Sequence, residues 1–236
     1  MLQVYFDFDD TLVKTQVLFE ESKRDCAHLI QQANPALSFE EIIGKFNARE
    51  AQNIKEHGLL SSRFGLSWTE TYAHFLGSNE AEQAAITSLA MAVYDKKTNL
   101  IYGAKKTLEK LRRKGYDLTM ITAGETTTQK QRVERSSFEP YFKEIFVVLE
   151  KTPAVMQSIV GGRPSDAVMI GNSLNSDIHP SLTIGMHAIL VKGDTWMYDQ
   201  AAVPTTEKFY QGTIRTVPDI ISRIEQSGVD TLASVV

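Results

Sequence analysis

The chain has 236 residues, 42% of them hydrophobic and 23% charged, with a net charge of −4. This is the make-up of an ordinary globular protein, long enough for one large domain or two modest ones. The acidic balance disfavours a nucleic-acid surface, and every apolar run is far too short to cross a bilayer.

Leu2, Val4, Tyr5, Phe6 and Phe8 predict a short buried strand at the N-terminus. Three acids, Asp7, Asp9 and Asp10, then crowd its carboxyl end. Unpaired carboxylates are costly to bury, so a strand ending this way needs a reason, and a metal site supplies one. With acids so close to the start, no secretory signal is expected. Residues 15–33 are helical in pattern, with Val17, Leu18, Cys26, Leu29 and Ile30 spaced for one face, and Pro35 breaks the helix. Cys26 is the single cysteine and cannot form an internal disulfide, which fits a reducing cytoplasm. Its place in a helix makes it a packing residue.

Ser38-Phe39-Glu40-Glu41 has the spacing of a capping box and opens a second helix that runs toward His57, before Gly58. Ser67-Trp68-Thr69-Glu70 predicts another helix start, with Gly77 as its stop, and residues 81–97 form an alanine-rich helix. From residue 99 the rhythm changes. Helices are expected over 104–114, 126–138, 153–160, 174–184 and 218–226, with strands over 116–122, 145–149, 167–170 and 187–191. This alternation predicts an α/β fold, a Rossmann-like parallel sheet with helices on both faces. Residues 1–13 and 100–236 would form that core, and residues 14–99 an inserted all-α domain. The joints fall near residues 13–15 and 98–103, with Gly103 either a hinge or a simple turn.

Asp7-x-Asp9-x-Thr11 is the first of four spaced features. Thr122-Ala123-Gly124 ends the second core strand, Lys151-Thr152-Pro153 opens the helix after the third, and Gly171-Asn172 with Asp177 follows the fourth. Each is weak singly. In this order, each after a predicted strand and with a helical insertion between the first and the second, they resemble the motifs of the haloacid dehalogenase-like (HAD) hydrolase superfamily over essentially the whole chain. One departure stands out: the family usually has Asp where this chain has Asn172.

The resemblance implies a Mg²⁺-dependent phosphomonoester hydrolase of the phosphatase branch with an inserted helical cap (C1 type), acting on a small cytoplasmic metabolite such as a nucleotide or sugar phosphate. It implies Asp7 as nucleophile, Asp9 as general acid and base, and Thr122, Ala123 and Lys151 as holders of the phosphoryl group. Mg²⁺ would be held by Asp7, the backbone carbonyl of Asp9, and Asn172 or Asp177, an amide oxygen being an acceptable donor for this cation. Asp10 is expected to be structural or to support the site residues from behind. An acid at Asp9 argues for an alkoxide leaving group and against dehalogenase or phosphonate chemistry. A phosphomutase, or a non-catalytic binding protein on the same fold, are the alternatives.

Substrate choice is expected to lie in the cap, where Asn47, Arg49, His57, Arg63, Trp68 and Tyr72 are candidates, although Trp68 and Tyr72 at four-residue spacing suit a core. Trp196 and Tyr198 follow the last core strand and would either border the site or pack the tail segment. The histidines, His57 and His179 among them, show no metal-ligand spacing.

Overall fold

The computed structural model describes residues 1–193, 199 and 201–233. It opens with β1 (Gln3–Phe6). Side chains alternate across a strand, so Val4 and Phe6, with Phe8 beyond them, enter one apolar cluster while Tyr5 enters another on the opposite face. A tight turn follows, with Asp10 in the left-handed region at φ 56°, and leads to β2 (Val13–Lys14). Asp10 accepts hydrogen bonds from the backbone N–H of Thr15 (2.8 Å) and Gln16 (2.9 Å), at the start of the helix that comes next. Its structural role is as expected, since helix N-termini leave such donors unmet.

Four helices come next: α1 (Gln16–Ala33), α2 (Phe39–His57), α3 (Ser61–Leu76) and α4 (Glu80–Met91). They pack round a core of their own, in which Phe46 stacks on Trp68 at 4.1 Å between ring centroids and both Phe19 and Phe46 meet Phe64 edge-on. The capping box at Ser38 is present, with both reciprocal bonds made. The one expected at Ser67 is not. Helix α3 begins six residues earlier, at Ser61, and runs through Ser67 and Glu70. Those two side chains instead accept hydrogen bonds, 3.0 Å each, from the Asn53 amide of α2. The box spacing also occurs within helices, and here it serves helix–helix contact.

The chain returns through β3 (Asn99–Leu100), which pairs antiparallel with β2, Val13 opposite Leu100. Strands of two residues carry no readable period, so this ribbon was not expected. Then follow α5 (Ala104–Arg113), β4 (Leu118–Ala123), α6 (Thr126–Ser136), β5 (Glu144–Val148), α7 (Pro153–Val160) and β6 (Ala167–Gly171). A π-helical turn, Leu174–Ile178, runs into α8 (His179–Thr183), where the sequence suggested one continuous helix. The chain ends with β7 (His187–Val191), β8 (Phe209–Gly212) and α9 (Val217–Ala233). Strand β8 was not expected: it is a half-buried edge strand of four residues.

All six strands of the main sheet are parallel, in the order β5-β4-β1-β6-β7-β8. The α/β expectation is met. The chain steps outward from β1 to β4 and β5, then returns to β6 on the other side of β1. Open sheets of this kind bind ligands outside the carboxyl ends of the strands at the point of reversal, and Asp7 is the residue that follows β1 there. Gly103 takes φ 92° at the start of α5, where its carbonyl accepts from Thr107 N–H. Among the described residues, no helix is long and apolar enough to cross a membrane.

Candidate active site

At the carboxyl end of the sheet Asp7, Lys151, Asn172 and Asp177 converge from β1, the start of α7, the end of β6 and the π-helical turn. All four are at most 7% exposed. Lys151 Nζ lies 2.6 Å from Asp7 Oδ1 and 2.6 Å from Asp177 Oδ1. Thr11 Oγ1 stands 2.8 Å from Asp7 Oδ2 and 3.3 Å from Asn172 Oδ1, so the last residue of the first motif orients the first. Asp177 Oδ2 accepts from the Ser173 backbone N–H at 3.0 Å. Gly171 is required here, because a Cβ at that position would collide with the Asp177 carboxyl group.

Asp9 sits in a separate cage. Arg132 Nη2 lies 2.7 Å from its Oδ1, Thr15 Oγ1 donates to the same oxygen at 2.5 Å, and Gln129 Nε2 donates to Oδ2 at 2.8 Å. Gln129 also donates to Thr122 Oγ1 at 2.7 Å. Thr122 is fully buried, and Ala123 and Gly124 rather than Thr122 reach the cleft wall.

The electrostatics follow from burial and charge. Burial pushes the Asp7 carboxyl above its ordinary pKa; Lys151 pulls against this, while Asp177 and Asp9 add to it. Burial alone would raise Asp9 as well, but Arg132, Thr15 and Gln129 outweigh it and hold that carboxyl below its usual range. Burial disfavours the Lys151 ammonium, yet Asp177 and Asp7 more than compensate and keep it charged. Among the described residues, no group of three or more His, Cys, Asp or Glu side chains is placed to hold a metal unaided. The oxygen donors gathered here are two carboxylates and an amide.

Above this floor lies a cleft of about 240 Å³ between the strand ends and the helical bundle. Asn47 and Arg63 line it. Arg49 and His57 do not, and Trp68 and Tyr72 are buried in the bundle's core. Trp196 and Tyr198 lie outside the described residues. His179 bonds the Ala202 carbonyl at 2.8 Å, away from the cleft. Thr11, Thr15, Gln129 and Arg132 are site residues that the sequence reading did not single out. Only Thr11 had a signal, as part of the first motif.

Paired carboxylates and a buried lysine thus stand at the point of reversal of a parallel α/β sheet. The family model of haloacid dehalogenase-like hydrolases matches residues 3–180. The chain belongs to this family. A glyceraldehyde 3-phosphate phosphatase of Pyrococcus furiosus is 23% identical over 202 residues, 80% of each chain. The pyrimidine 5'-nucleotidase PynA of Streptococcus pneumoniae is 25% identical, over 86% of this chain and 85% of its own. Among solved structures, a haloacid dehalogenase-like family hydrolase from Xanthomonas campestris is similar at a TM-score of 0.79 and 25% identity, over 98% of this chain and 94% of that one.

Proposed function

We propose that this chain, a phosphoric monoester hydrolase of the haloacid dehalogenase-like family, cleaves the phosphate ester of a small cytoplasmic metabolite through an aspartyl-phosphate on Asp7. The observation that carries the reading is the buried cluster in which one ammonium, Lys151, bridges Asp7 and Asp177 at 2.6 Å each. Asp7 attacks phosphorus in line, and the ester P–O bond breaks as the bond from Asp7 forms. The Thr11 hydroxyl holds the second Asp7 oxygen and so fixes the carboxylate for that attack. Lys151 offsets the charge of nucleophile and phosphoryl group, and the Ala123 N–H holds a phosphoryl oxygen, which Thr122, buried behind the cleft wall, joins only by giving up the bond it accepts from Gln129.

Asp9 protonates the departing alkoxide, then takes the proton of the water that hydrolyses the intermediate. In the structure its carboxylate lines the cleft but is gripped by Arg132, Thr15 and Gln129, which favour its charged form, so it must be released from that grip and take up a proton from water before it can give one to the alkoxide. Residues 14–99 serve as the cap over the core of residues 1–13 and 100–236, and the apposition of α1–α4 to the strand ends supports this. The buried, unpaired Cys26 supports a reducing compartment.

The donor set suits Mg²⁺, which takes hard oxygens, needs only one or two carboxylates and keeps waters and substrate phosphate as its remaining ligands. Asp7, Asp177, the Asn172 amide oxygen and the Asp9 backbone carbonyl would hold it. Burial, with the two neighbouring acids Asp177 and Asp9, raises Asp7 and supports the need for more positive charge than Lys151 brings. When bound, the cation supplies charge neutralisation and alignment of the phosphoryl group.

Phosphate release from a panel of small esters, with and without Mg²⁺, tests the reading. Metal-dependent release by the native chain and none by Asp7→Asn is the expected result. Release that survives in Asp7→Asn would overturn it.

A further inference from the structure

The π-helical turn Leu174–Ile178 carries Asp177 and follows Asn172, so two of the oxygen donors at the site depend on where its backbone lies. Helix N-termini leave peptide N–H groups unmet, and side-chain acceptors are what satisfy them. Ser173 N–H donates to Asp177 Oδ2 at 3.0 Å and Ser176 N–H to Ser173 Oγ at 2.9 Å, both within the turn and its cap. The two N–H groups in between reach a residue from further along the chain. Leu174 N–H donates to Asp199 Oδ2 and Asn175 N–H to Asp199 Oδ1, at 2.9 Å each.

Asp199 lies in the connection between β7 and β8 and is 7% exposed. Among the described residues it has no cationic partner. A buried carboxylate without a cation is costly, and the pair of charge-assisted bonds to peptide N–H groups offsets that cost. A carboxylate that only tied down its own loop could take any donor. This one takes the two that continue directly from Ser173 N–H, the donor that holds Asp177 Oδ2. Both of its oxygens are engaged, so the grip fixes the direction of these peptides as well as their distance. From there the hold passes to Asp177, whose other oxygen meets Lys151, and Lys151 meets Asp7. The same connection is fastened a second time at the start of α8, where the Ala202 carbonyl accepts from His179 Nε2 at 2.8 Å.

We propose that Asp199 is a positioning residue of the hydrolytic site: by holding the peptide N–H groups of Leu174 and Asn175 it sets the turn so that Asn172 and Asp177 present their oxygens to one Mg²⁺. This rests on the phosphatase reading and adds to it a residue that touches neither substrate nor cation. Groups that orient metal ligands from behind govern affinity or activity by about ten- to a hundredfold. Asp199 exerts that control through the backbone.

The test uses the full chain and the variants Asp199→Ala and Asp199→Asn. Three readouts apply: Mg²⁺ affinity by calorimetry, amide hydrogen exchange over residues 172–178, and phosphate release from p-nitrophenyl phosphate across a Mg²⁺ series. Asp199→Ala is expected to weaken Mg²⁺ binding by about tenfold or more, and to quicken exchange in the turn while β1 and β4 stay protected. Its turnover should fall by a similar factor at limiting Mg²⁺ and recover much of that at saturating Mg²⁺, with KM for the ester little changed. Asp199→Asn keeps one acceptor oxygen and should lie between Asp199→Ala and the native chain. Native Mg²⁺ affinity in Asp199→Ala, or exchange that quickens equally throughout the sheet, would overturn the proposal. If Asp199→Ala does not fold, Asp199→Asn decides, and native affinity there would make Asp199 a folding residue only. Weakened Mg²⁺ binding with exchange confined to the turn, in a chain that hydrolyses no ester, would sink the phosphatase reading and uphold this one. Metal-dependent hydrolysis untouched by Asp199→Ala would do the opposite.

Discussion

Gly171 ends β6 with its α-carbon so close to Asp177 that a single added methyl group would displace the carboxyl group from Lys151. Because misplacement by about 1 Å costs about a hundredfold in rate, Gly171→Ala should lose about that much turnover while keeping a native circular dichroism spectrum. A variant with the native rate would show that Asp177 does not need its present position. His187 sets a different expectation at the same scale. Its Nδ1 is buried without a partner, and burial first, then the nearby Lys208, lowers its pKa below the ordinary 6.5, against a smaller pull from Glu207. The unfolded chain then binds a proton that the folded chain does not, in the window just below pH 6.5. Stability should be complete above that pH and fall as the pH drops toward the folded-state pKa. His187→Gln should flatten this part of the urea-midpoint profile between neutral and mildly acid pH, and an unchanged slope would remove His187 as its source.

Helix α6 joins chemistry to the bundle. Gln129 and Arg132 point to Asp9, and one turn on, Arg135 donates to the carbonyls of Tyr94 at 2.9 Å and Asp95 at 3.0 Å. At its entry, Glu125 accepts from Ser61 of α3. Arg132→Met should therefore act twice. It leaves a largely buried carboxylate unpaired, at a cost of about 3 kcal/mol at neutral pH. It also removes the strongest influence that lowers the Asp9 pKa, so the limb of the rate profile that belongs to Asp9 moves to higher pH. A limb that stays in place would separate Arg132 from the acid–base step. None of this could be read from the sequence. Thr126–Ser136 is so polar that its pattern reads as a solvated helix, yet Gln129 and Arg132 are 4% and 7% exposed. Their burial depends on Asp9, 120 residues or more away in the chain. Asp7, Lys151 and Asp177 were legible because each follows a strand whose apolar run announces it. The Ser67 box misled because the same spacing serves a contact between helices.

At the scale of the molecule there are two apolar centres of unlike origin. The sheet's clusters draw on strands scattered through the sequence, while the bundle's comes from the single stretch between Leu18 and Val93. Strand–helix alternation made the first visible, and capping and helical periodicity the second. The edge strand β8 and the β2–β3 ribbon stayed hidden, being too short to show a period. Phe46→Ala should cost about 3–5 kcal/mol in the bundle. Hydrogen exchange should then quicken in α2 and α3 and leave β1 and β4 protected. Uniform quickening would mean that the two centres unfold as one.

The ribbon of Val13 against Leu100 has an evolutionary consequence. It brings the outgoing and incoming chain side by side, so beyond Thr15 and the few contacts made by Ser61, Tyr94 and Asp95 the floor of the cleft sees only the spacing of two adjacent strands. A helical cassette whose ends meet that spacing, and that keeps Thr15 and a partner for α6, could be exchanged for the rest of α1–α4 without disturbing Asp7 or Lys151. Selectivity could thus be rewritten in one block while the cleavage chemistry is inherited whole.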